Sequence, residues 1–417
     1  MTALQLLALI VAALLMQLAL GIAVVVRRRQ IASSQASVPA PDVLPKSSGG
    51  AWTGWRDFQV ARRSFEDAAH SQCSFHLQPV DGLPLPAFLP GQFLTFSLPA
   101  DGSNGGSQAA TPPSITRCYS VSDGPNPTSY RITIKRVPAP SSRPDVPAGL
   151  SSTHFHDRVH EGTILKVKAP AGHFFIDADA SVPVVLVAGG IGITPLMSML
   201  RWCVTEQPAR TVHLYYGVRN GSEHAFRQSL EQLAAEHPAF HLNVVYSQPS
   251  ADDRAGREDQ PAGRVDVELL RRRLPHGSHQ FYVCGPPAMM ESLVPALVQW
   301  GVPPQDIHFE AFGPASVKLP GSAPGPVVAA LAAPIEVKFS RSGRTLAWDG
   351  QDADLLDFTD RHGLAMDSGC RSGSCGTCET RLVSGSVLYD NPPDHDIAPG
   401  HCLLCVGRPA SALVLEA

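Results

Sequence analysis

Four cysteines near the carboxyl end of the chain are the residues best suited to chemistry. Cys370, Cys375 and Cys378 follow one another with the spacing C-x4-C-x2-C, and Cys405 comes later in the chain. This spacing suits a 2Fe-2S cluster held by four thiolates. Glycines at 369, 373 and 376 would let the loop turn tightly while its amide N–H groups point at the sulfurs. Zinc is the alternative metal, but its ligands usually come as C-x2–4-C pairs. The pattern therefore predicts a carrier of single electrons.

Length and composition limit what else the chain can contain. Its 417 residues favour about three domains, and 44% hydrophobic with 17% charged residues indicates globular domains with ample core. The net charge is −4, and no basic block of the kind that binds nucleic acid is present. The other five cysteines lack the even framework of a secreted, disulfide-held fold and favour a reducing compartment; they are Cys73, Cys118, Cys203, Cys284 and Cys402.

The amino-terminal residues predict a membrane anchor. Residues 3–26 form an apolar run, which at about 1.5 Å per residue would span the hydrocarbon core. Three arginines follow at residues 27–29 and none precedes, so the amino terminus should lie outside and the catalytic domains in the cytoplasm. A signal peptide is the alternative, but it requires positive charge before the apolar run. We expect a single-pass anchor in the inner membrane over residues 1–29, then a flexible linker over 30–51.

Short strands separated by turns dominate residues 52–180 and predict an antiparallel β-barrel. Two segments within it could bind a flavin nucleotide. In the first, R-C-Y-S, an arginine can pair with a pyrophosphate, a tyrosine ring can cover the isoalloxazine, and a serine hydroxyl can bond a flavin nitrogen. In the second, G-L-S-S-T, a helix start offers free N–H groups to a phosphate. The candidate residues are Arg117, Cys118, Tyr119, Ser120, Gly149, Ser152 and Thr153.

These two segments resemble the flavin-binding motifs of the ferredoxin–NADP reductase superfamily. The resemblance implies a flavin held between the strand and the helix start. The FMN-binding branch of that superfamily with a C-terminal ferredoxin lacks the second segment. Its presence here therefore favours FAD.

Residues 181–314 alternate buried strands with helices, which predicts a parallel α/β nucleotide-binding domain. Its first strand ends in G-G-I-G-I-T-P, whose glycines would let a pyrophosphate approach the backbone at a helix start. Pro195 occupies the place of the third glycine of the full dinucleotide fingerprint, so the loop alone is weak evidence. The candidate residues are Gly189, Gly190, Gly192, Thr194 and Pro195.

Three later segments strengthen this interpretation because of their order: Y-G-V-R ending at Arg219, C-G-P at residues 284–286, and E-A-F-G-P from Glu310. They resemble the reductase half of flavohaemoglobins. The resemblance implies nucleotide contacts by Arg219, Gly285 and Pro286, and a hydride-transfer site made of Ser120, Cys284, Glu310 and Phe312. Ser120 and Glu310 would organise polar contacts near flavin N5, Cys284 would lie beside nicotinamide C4, and Phe312 would stack on the flavin. The alternatives are a buried structural thiol for Cys284 and a core aromatic for Phe312.

The choice between NADH and NADPH depends on the group that meets the adenosine ribose. NADPH-specific relatives use a Ser-Arg pair, where this chain has Ser247 and Gln248. A neutral Gln cannot give a 2′-phosphate a charge-assisted bond, so we expect NADH. Arg254 and Arg257 in the next loop could reverse this preference and admit NADPH.

Residues 315–333 are rich in Pro, Gly and Ala and predict a second linker. Residues 334–417 resemble a β-grasp ferredoxin of the plant type, which implies Cys370, Cys375, Cys378 and Cys405 as the cluster ligands and Cys402 as a core thiol. This part carries 12 acidic and 7 basic residues, a charge of −5. This negative charge could steer the domain toward a basic partner protein, or it could simply belong to an acidic surface in contact with solvent.

The assembled prediction is a membrane-anchored reductase that passes electrons from NADH to FAD, to the 2Fe-2S cluster and then to an acceptor protein. The anchor favours a membrane-associated oxygenase, hydroxylase or desaturase as that acceptor. One alternative is a subunit of an NADH:quinone reductase, although there the ferredoxin precedes the flavin domain. Another is a non-catalytic iron–sulfur redox sensor, which would not need the hydride-transfer residues.

Overall fold

A computed structural model describes residues 5, 52, 54–99, 114–139, 148–254, 262–312, 334–364, 366–371, 373, 375–390, 393 and 395–417. Apart from residue 5, these belong to one compact unit, Pro45–Ala417. The predicted anchor, both predicted linkers and Arg257 lie outside the described residues, with residue 5 the one exception. In the described part of the chain, no helix has both the length and the apolar character needed to cross a bilayer.

The first folded part is the predicted antiparallel barrel. Its strands lie in the order β4-β3-β6-β1-β2-β5, and the bridge between Val121 and Ile132 joins the two outer strands. A helix, α1, enters between β5 and β6. The elements are β1 (Arg56–Phe65), β2 (Gln72–Pro79), β3 (Phe93–Pro99), β4 (Ser114–Ser120), β5 (Tyr130–Lys135), α1 (Leu150–Arg158) and β6 (Ile164–Ala171).

An aromatic cluster in the barrel core fixes α1 against β4. Phe155 of α1 is fully buried and lies 5.3 Å from the Phe75 ring and 5.6 Å from the Phe96 ring. Its ring also lies 5.2 Å from that of Tyr119 in β4. The two candidate flavin-binding segments are therefore held side by side by burial of apolar rings.

The second folded part is the predicted parallel α/β domain. Its five strands lie in the order β11-β10-β7-β8-β9, and every neighbouring pair is parallel. The central strand β7 is buried along its whole length, as a strand covered on both faces must be. The elements are β7 (Val184–Gly189), α2 (Ile193–Glu206), β8 (Val212–Val218), α3 (Arg227–Glu236), β9 (Phe240–Tyr246), α4 (Ala251–Arg254), α5 (Val267–Arg273), β10 (Gln280–Gly285), α6 (Pro287–Trp300) and β11 (Ile307–Ala311).

The third folded part is a small mixed sheet with one helix, as expected for the ferredoxin domain. Its larger sheet has the order β13-β12-β18-β14-β16, and β15 pairs with β17. Trp348 and Phe358 meet edge to face in its core, with ring centroids 5.2 Å apart. The elements are β12 (Ile335–Phe339), β13 (Arg344–Trp348), α7 (Leu355–Arg361), β14 (Glu379–Ser384), β15 (Val387–Tyr389), β16 (His401–Leu403), β17 (Gly407–Pro409) and β18 (Leu413–Leu415).

Hydrogen bonds and ion pairs tie the barrel to the α/β domain. Near the end of β1, Ala69 N donates to Ser222 O at 2.8 Å, and Phe226 N donates to Glu66 O at 3.1 Å. Elsewhere, Arg201 of α2 lies 3.2 Å from the Asp123 carboxylate of the barrel. These bonds bring the carboxyl edge of the parallel sheet to the barrel.

Candidate functional site

The candidate nucleotide site lies where the order of the parallel strands reverses. The chain runs from β7 outward to β8 and β9, then returns to add β10 and β11 on the other side. In open α/β sheets, ligands bind in the crevice at such a reversal, beyond the carboxyl ends of the strands. The predicted glycine loop begins at the last residue of β7. In the predicted C-G-P segment, Cys284 and Gly285 are the last two residues of β10 and Pro286 follows the strand. Both segments therefore lie at this crevice.

The glycine loop requires glycine at two positions, at Gly192 because it packs against the backbone of β10 and at Gly190 because of its positive φ. A Cβ on Gly192 would lie 2.1 Å from the carbonyl oxygen of Cys284, and Gly190 has a φ of +53°. The turn then enters α2, where Thr194 Oγ1 donates to Ile191 O at 3.0 Å and Pro195 occupies the first turn. The loop thus exposes backbone rather than side chains, as a pyrophosphate site requires.

Three of the four predicted hydride-transfer residues come together at the barrel. Ser120 Oγ, at the end of β4, donates to Glu310 Oε2 at 3.5 Å. Glu310 lies beside Cys284 in the register of β10 and β11. Burial, and then the Glu310 carboxylate, raise the pKa of the Cys284 thiol well above its usual value. Cys284 is therefore a neutral thiol, suited to packing beside a ring rather than to nucleophilic chemistry.

Phe312 lies two residues after Glu310 and is half-buried. It ends the described part of the α/β domain, so the stacking predicted for it stays a prediction.

The two flavin-binding segments meet through a direct side-chain contact. Tyr119 Oη and Ser151 Oγ lie 2.6 Å apart. Ser152 Oγ instead donates to Gly149 O at 2.9 Å and accepts from Val137 N at 3.1 Å, so its hydroxyl closes the turn into α1. The flavin contact that the sequence predicts for Ser152 stays a prediction, whereas the Ser151–Tyr119 contact has no signal in the sequence and follows from the packing of α1 against β4.

One unpaired hydroxyl supports an FAD phosphate at this helix start. Thr153 Oγ1 is buried without a hydrogen-bond partner in the described part of the chain. Gly149 contributes no side-chain cap to α1, so the first-turn N–H groups are open to an anion. Arg117 Nη1 is bonded only to the neighbouring carbonyl of Thr116 at 2.7 Å among the described contacts, which leaves most of its donors for a pyrophosphate.

The four predicted cluster ligands fall into two pairs. Cys370 N donates to Cys375 Sγ at 3.2 Å and Cys375 N donates to Cys370 Sγ at 3.3 Å. The Cys378 and Cys405 sulfurs lie 3.0 Å apart. No three ligating side chains converge on one point within the described residues, but a 2Fe-2S cluster requires two thiolates on each iron rather than three on one. The pairing therefore fits the cluster, and amide N–H groups point at sulfur as the sequence predicted.

The His395 side chain packs against the loop that carries the predicted cluster ligands. Gly376 has a φ of +67°, and a Cβ there would lie 2.3 Å from the His395 ring. His395 Nε2 is 2.7 Å from Glu379 Oε2, and Glu379 Oε1 accepts from Ala398 N at 2.9 Å. His395 therefore has a packing role against the loop, a role that sequence proximity alone did not reveal.

The cluster loop also reaches the flavin-binding strand. The Cys118 side chain neighbours that of Cys375 and is the first cause of the raised pKa of the Cys375 thiol. Cys118 lies next to Tyr119 in β4. The structure thus places a predicted cluster ligand against the predicted flavin-binding motif.

The predicted adenosine end of the site lies between β8 and β9. Ser247 N donates to Val218 O at 2.9 Å and Gln248 N donates to Arg219 O at 2.7 Å, so the two stretches run side by side. Sequence reasoning missed two carboxylates here, Glu223 and Asp253. Glu223 forms an ion pair with Arg219 at 3.0 Å, but this stretch is a bend and a short turn rather than an α-helix, so the spacing of four residues gave no signal.

Comparison with known proteins agrees with this three-part architecture. Residues 186–294 match the oxidoreductase NAD-binding domain family, and residues 337–410 match the 2Fe-2S iron-sulfur cluster binding domain family. A flavohemoprotein of Halalkalibacterium halodurans is 35% identical over 266 residues, which cover 64% of this chain and 62% of that protein. The chain thus spans about 62% of the length of that relative.

Two solved structures add the flavin domain and the domain order. The flavohem-like FAD/NAD binding domain of nitric oxide dioxygenase from Vibrio cholerae is 32% identical, covers 62% of this chain and 99% of that domain, and has a TM-score of 0.53. Phthalate dioxygenase reductase is 26% identical, covers 90% of this chain and 100% of that protein, and has a TM-score of 0.52.

The cofactors are therefore FAD, NADH and a 2Fe-2S cluster. The chain is therefore an NAD(P)H-dependent oxidoreductase that combines a ferredoxin–NADP reductase-like FAD and NAD module with a C-terminal 2Fe-2S ferredoxin domain, and its architecture is similar to that of phthalate dioxygenase reductase.

Proposed function

We propose that this chain passes electrons from NADH through FAD and the 2Fe-2S cluster to an acceptor protein that is an oxygenase, hydroxylase or desaturase. Phthalate dioxygenase reductase, which the chain resembles along 90% of its length, transfers electrons from pyridine nucleotides to a 2Fe-2S centre. The chemistry that the bound groups supply is hydride transfer at the flavin and one-electron transfer at the cluster.

One observation carries the proposal: β4 touches both neighbouring domains within three residues. Ser120 bonds Glu310 of the α/β domain, and Cys118 neighbours Cys375 of the ferredoxin domain. A flavin on this strand would have the nicotinamide site on one side and the cluster loop on the other. A redox sensor would not require the first contact.

The protein groups align and shield the reacting rings. Cys284 is fully buried at the end of β10 and gives the nicotinamide a dry, neutral surface. The Ser120–Glu310 bond fixes the polar edge of the site. Such alignment is the main contribution of a protein to hydride transfer between cofactors.

The structure supports NADH over NADPH through a fixed carboxylate. Asp253 Oδ2 accepts from Gly221 N at 3.0 Å and from Ser250 N at 2.8 Å. The bond from Gly221 is the main reason that the pKa of Asp253 is lowered, so this group stays charged in the segment that follows Gln248. At Gln248 a 2′-phosphate would find a neutral amide in place of the arginine of NADPH-specific relatives. We expect kcat/KM to be about tenfold or more higher for NADH.

The test is an anaerobic titration of the holoprotein with NADH and then NADPH, followed by absorption. Bleaching of both flavin and cluster bands by NADH is the expected result. Bleaching of the flavin alone would contradict the path through the cluster. Absence of any NADH oxidation would favour the redox-sensor alternative, and rapid reduction of a soluble quinone, but of no one-electron acceptor, would favour the quinone reductase alternative.

The predicted anchor is a separate part of the proposal. Its support is the apolar run at residues 3–26 followed by three arginines. In cells, the full chain should sediment with inner membranes, and a variant starting at residue 52 should not. Equal distribution of the two chains between membrane and soluble fractions would refute the anchor and leave the electron path untouched.

A further inference from the structure

One carboxylate is shared between the α/β domain and the barrel. Glu223 lies in the short turn that follows β8. Its Oε1 accepts from Arg219 Nη1 at 3.0 Å, and its Oε2 accepts from Lys135 Nζ at 2.7 Å. Arg219 is the residue after β8, at the carboxyl edge of the parallel sheet, whereas Lys135 ends β5 of the barrel.

The two ion pairs of Glu223, with Lys135 and with Arg219, differ in their exposure to solvent. The side chains of Glu223 and Lys135 are 15% and 30% exposed, whereas that of Arg219 is 62% exposed. The Lys135–Glu223 pair is therefore the better shielded half. Arg219 remains open to solvent, and its guanidinium has donors beyond the one that Glu223 uses.

Backbone contacts hold the turn in place without help from the carboxylate. Glu223 O accepts from Gln72 Nε2 at 2.9 Å, and Ser222 O accepts from Ala69 N at 2.8 Å. Asn220 Oδ1 caps the turn by accepting from Glu223 N at 3.2 Å. Neutralising Glu223 should therefore leave the fold and the domain contact intact.

We propose that Glu223 is a positioning residue of the nucleotide site. It holds the Arg219 guanidinium at the edge of β8 for a phosphate of the nicotinamide nucleotide, and its second bond, to Lys135, ties that position to the barrel that carries the flavin. The inference rests on the proposed function, since that function gives Arg219 its ligand. It predicts that Lys135, a barrel residue outside the nucleotide domain, affects nucleotide affinity.

The test compares Glu223→Gln, Lys135→Met and the double variant by steady-state oxidation of NADH with ferricyanide. The control is Glu231→Gln, which breaks another Arg–Glu pair of i,i+4 spacing, in α3, at 2.9 Å with both side chains about half exposed. For Glu223→Gln we expect the KM for NADH to rise about threefold to tenfold, with kcat within about twofold of wild type. Lys135→Met should raise KM in the same direction, and the double variant should be no worse than Glu223→Gln, because both act through one group.

Several outcomes would overturn the inference. These are an unchanged or lower KM in Glu223→Gln, additive effects in the double variant, or a fall in kcat and flavin content without a change in KM, which would indicate a structural role alone. Failure of the proposed function is distinguishable, because wild type and Glu231→Gln would then oxidise no NADH at all.

Discussion

Ser120 and Glu310 lie 190 positions apart in sequence, yet their side chains meet beside Cys284. The contact requires both the end of β4 and the pairing of β10 with β11. A hydroxyl and a carboxylate held this way can orient a ring edge without taking part in bond formation. Their contribution should therefore appear in kcat rather than in nucleotide affinity.

Replacement of Ser120 by Ala should lower kcat for NADH oxidation about tenfold, with little change in the Kd for NADH, because the lost bond organises the reacting groups. Stopped-flow reduction of the flavin measures this step directly. Ser292→Ala is the matched control, since Ser292 is exposed on α6 and its side chain, among the described residues, bonds Met289 O of its own helix. A parallel loss in the control, or a loss of affinity with unchanged kcat, would contradict the assigned role.

The cluster ligands can be separated from the neighbouring thiol in the same way. Cys378→Ala should remove the visible cluster spectrum and abolish cytochrome c reduction, while NADH oxidation with ferricyanide, which draws on the flavin, continues. Cys402→Ala is the control. Cys402 is buried in β16, and burial raises the pKa of its thiol to about 12, as expected for a core group. Loss of the cluster in Cys402→Ala but not in Cys378→Ala would overturn the ligand assignment.

The strands and helices are the part of the structure that the sequence predicts best. The buried run of β7 predicted a parallel strand, and the short strands of residues 52–180 predicted the antiparallel barrel, because each pattern reflects burial on two faces or one. The cysteine spacing likewise indicated the loop before β14. Contacts between elements have no comparable sequence pattern. The Lys135–Glu223 pair joins residues 88 positions apart, and it results from the packing of two domains rather than from a periodic pattern of neighbouring residues. For the same reason Ser151, and not its neighbour Ser152, was found beside Tyr119.

The amino ends of three parallel strands gather histidines that should make stability depend on pH. His213 of β8 is 6% exposed, stacks on His241 at 4.7 Å and lies 6.2 Å from His279. Burial, followed by the two neighbouring histidines, lowers the pKa of His213 to about 4. Since the unfolded chain takes up this proton near pH 6.5, the stability is present above that pH and is lost as the pH falls toward 4.

Thermal unfolding at pH 7.5 and pH 5 measures the effect. The wild type should lose on the order of 2 kcal/mol from this group over that interval. His213→Leu should show a smaller loss, because Leu cannot titrate. His160→Leu, at an exposed turn of the barrel, is the control and should follow wild type. An identical pH dependence in His213→Leu and wild type would show that His213 is not the group responsible.

For the whole molecule, the domain contacts predict an internal path. The α/β domain is bonded to the barrel through Ser222 and Phe226, and the ferredoxin domain approaches the barrel where Cys375 neighbours Cys118. A transfer between groups held within one molecule does not wait for a molecular collision. The rate of cluster reduction should therefore be a property of one molecule.

Stopped-flow mixing with excess NADH at two protein concentrations, differing about tenfold, should give the same first-order rate of cluster bleaching. The flavin phase recorded in the same trace is the control, since it depends on NADH and not on protein concentration. A cluster rate that rises in proportion to protein concentration would mean that electrons pass between molecules, and would contradict an internal path.

Strand β4 makes the protein sensitive to the insertion of a single residue. Neighbouring residues of a strand point to opposite faces, so a one-residue shift exchanges every side chain between them. In β4, Cys118 meets the ferredoxin, Tyr119 meets α1 and Ser120 meets β11. Inserting a single codon within β4 would therefore misdirect all three contacts at once, even if the barrel still closed.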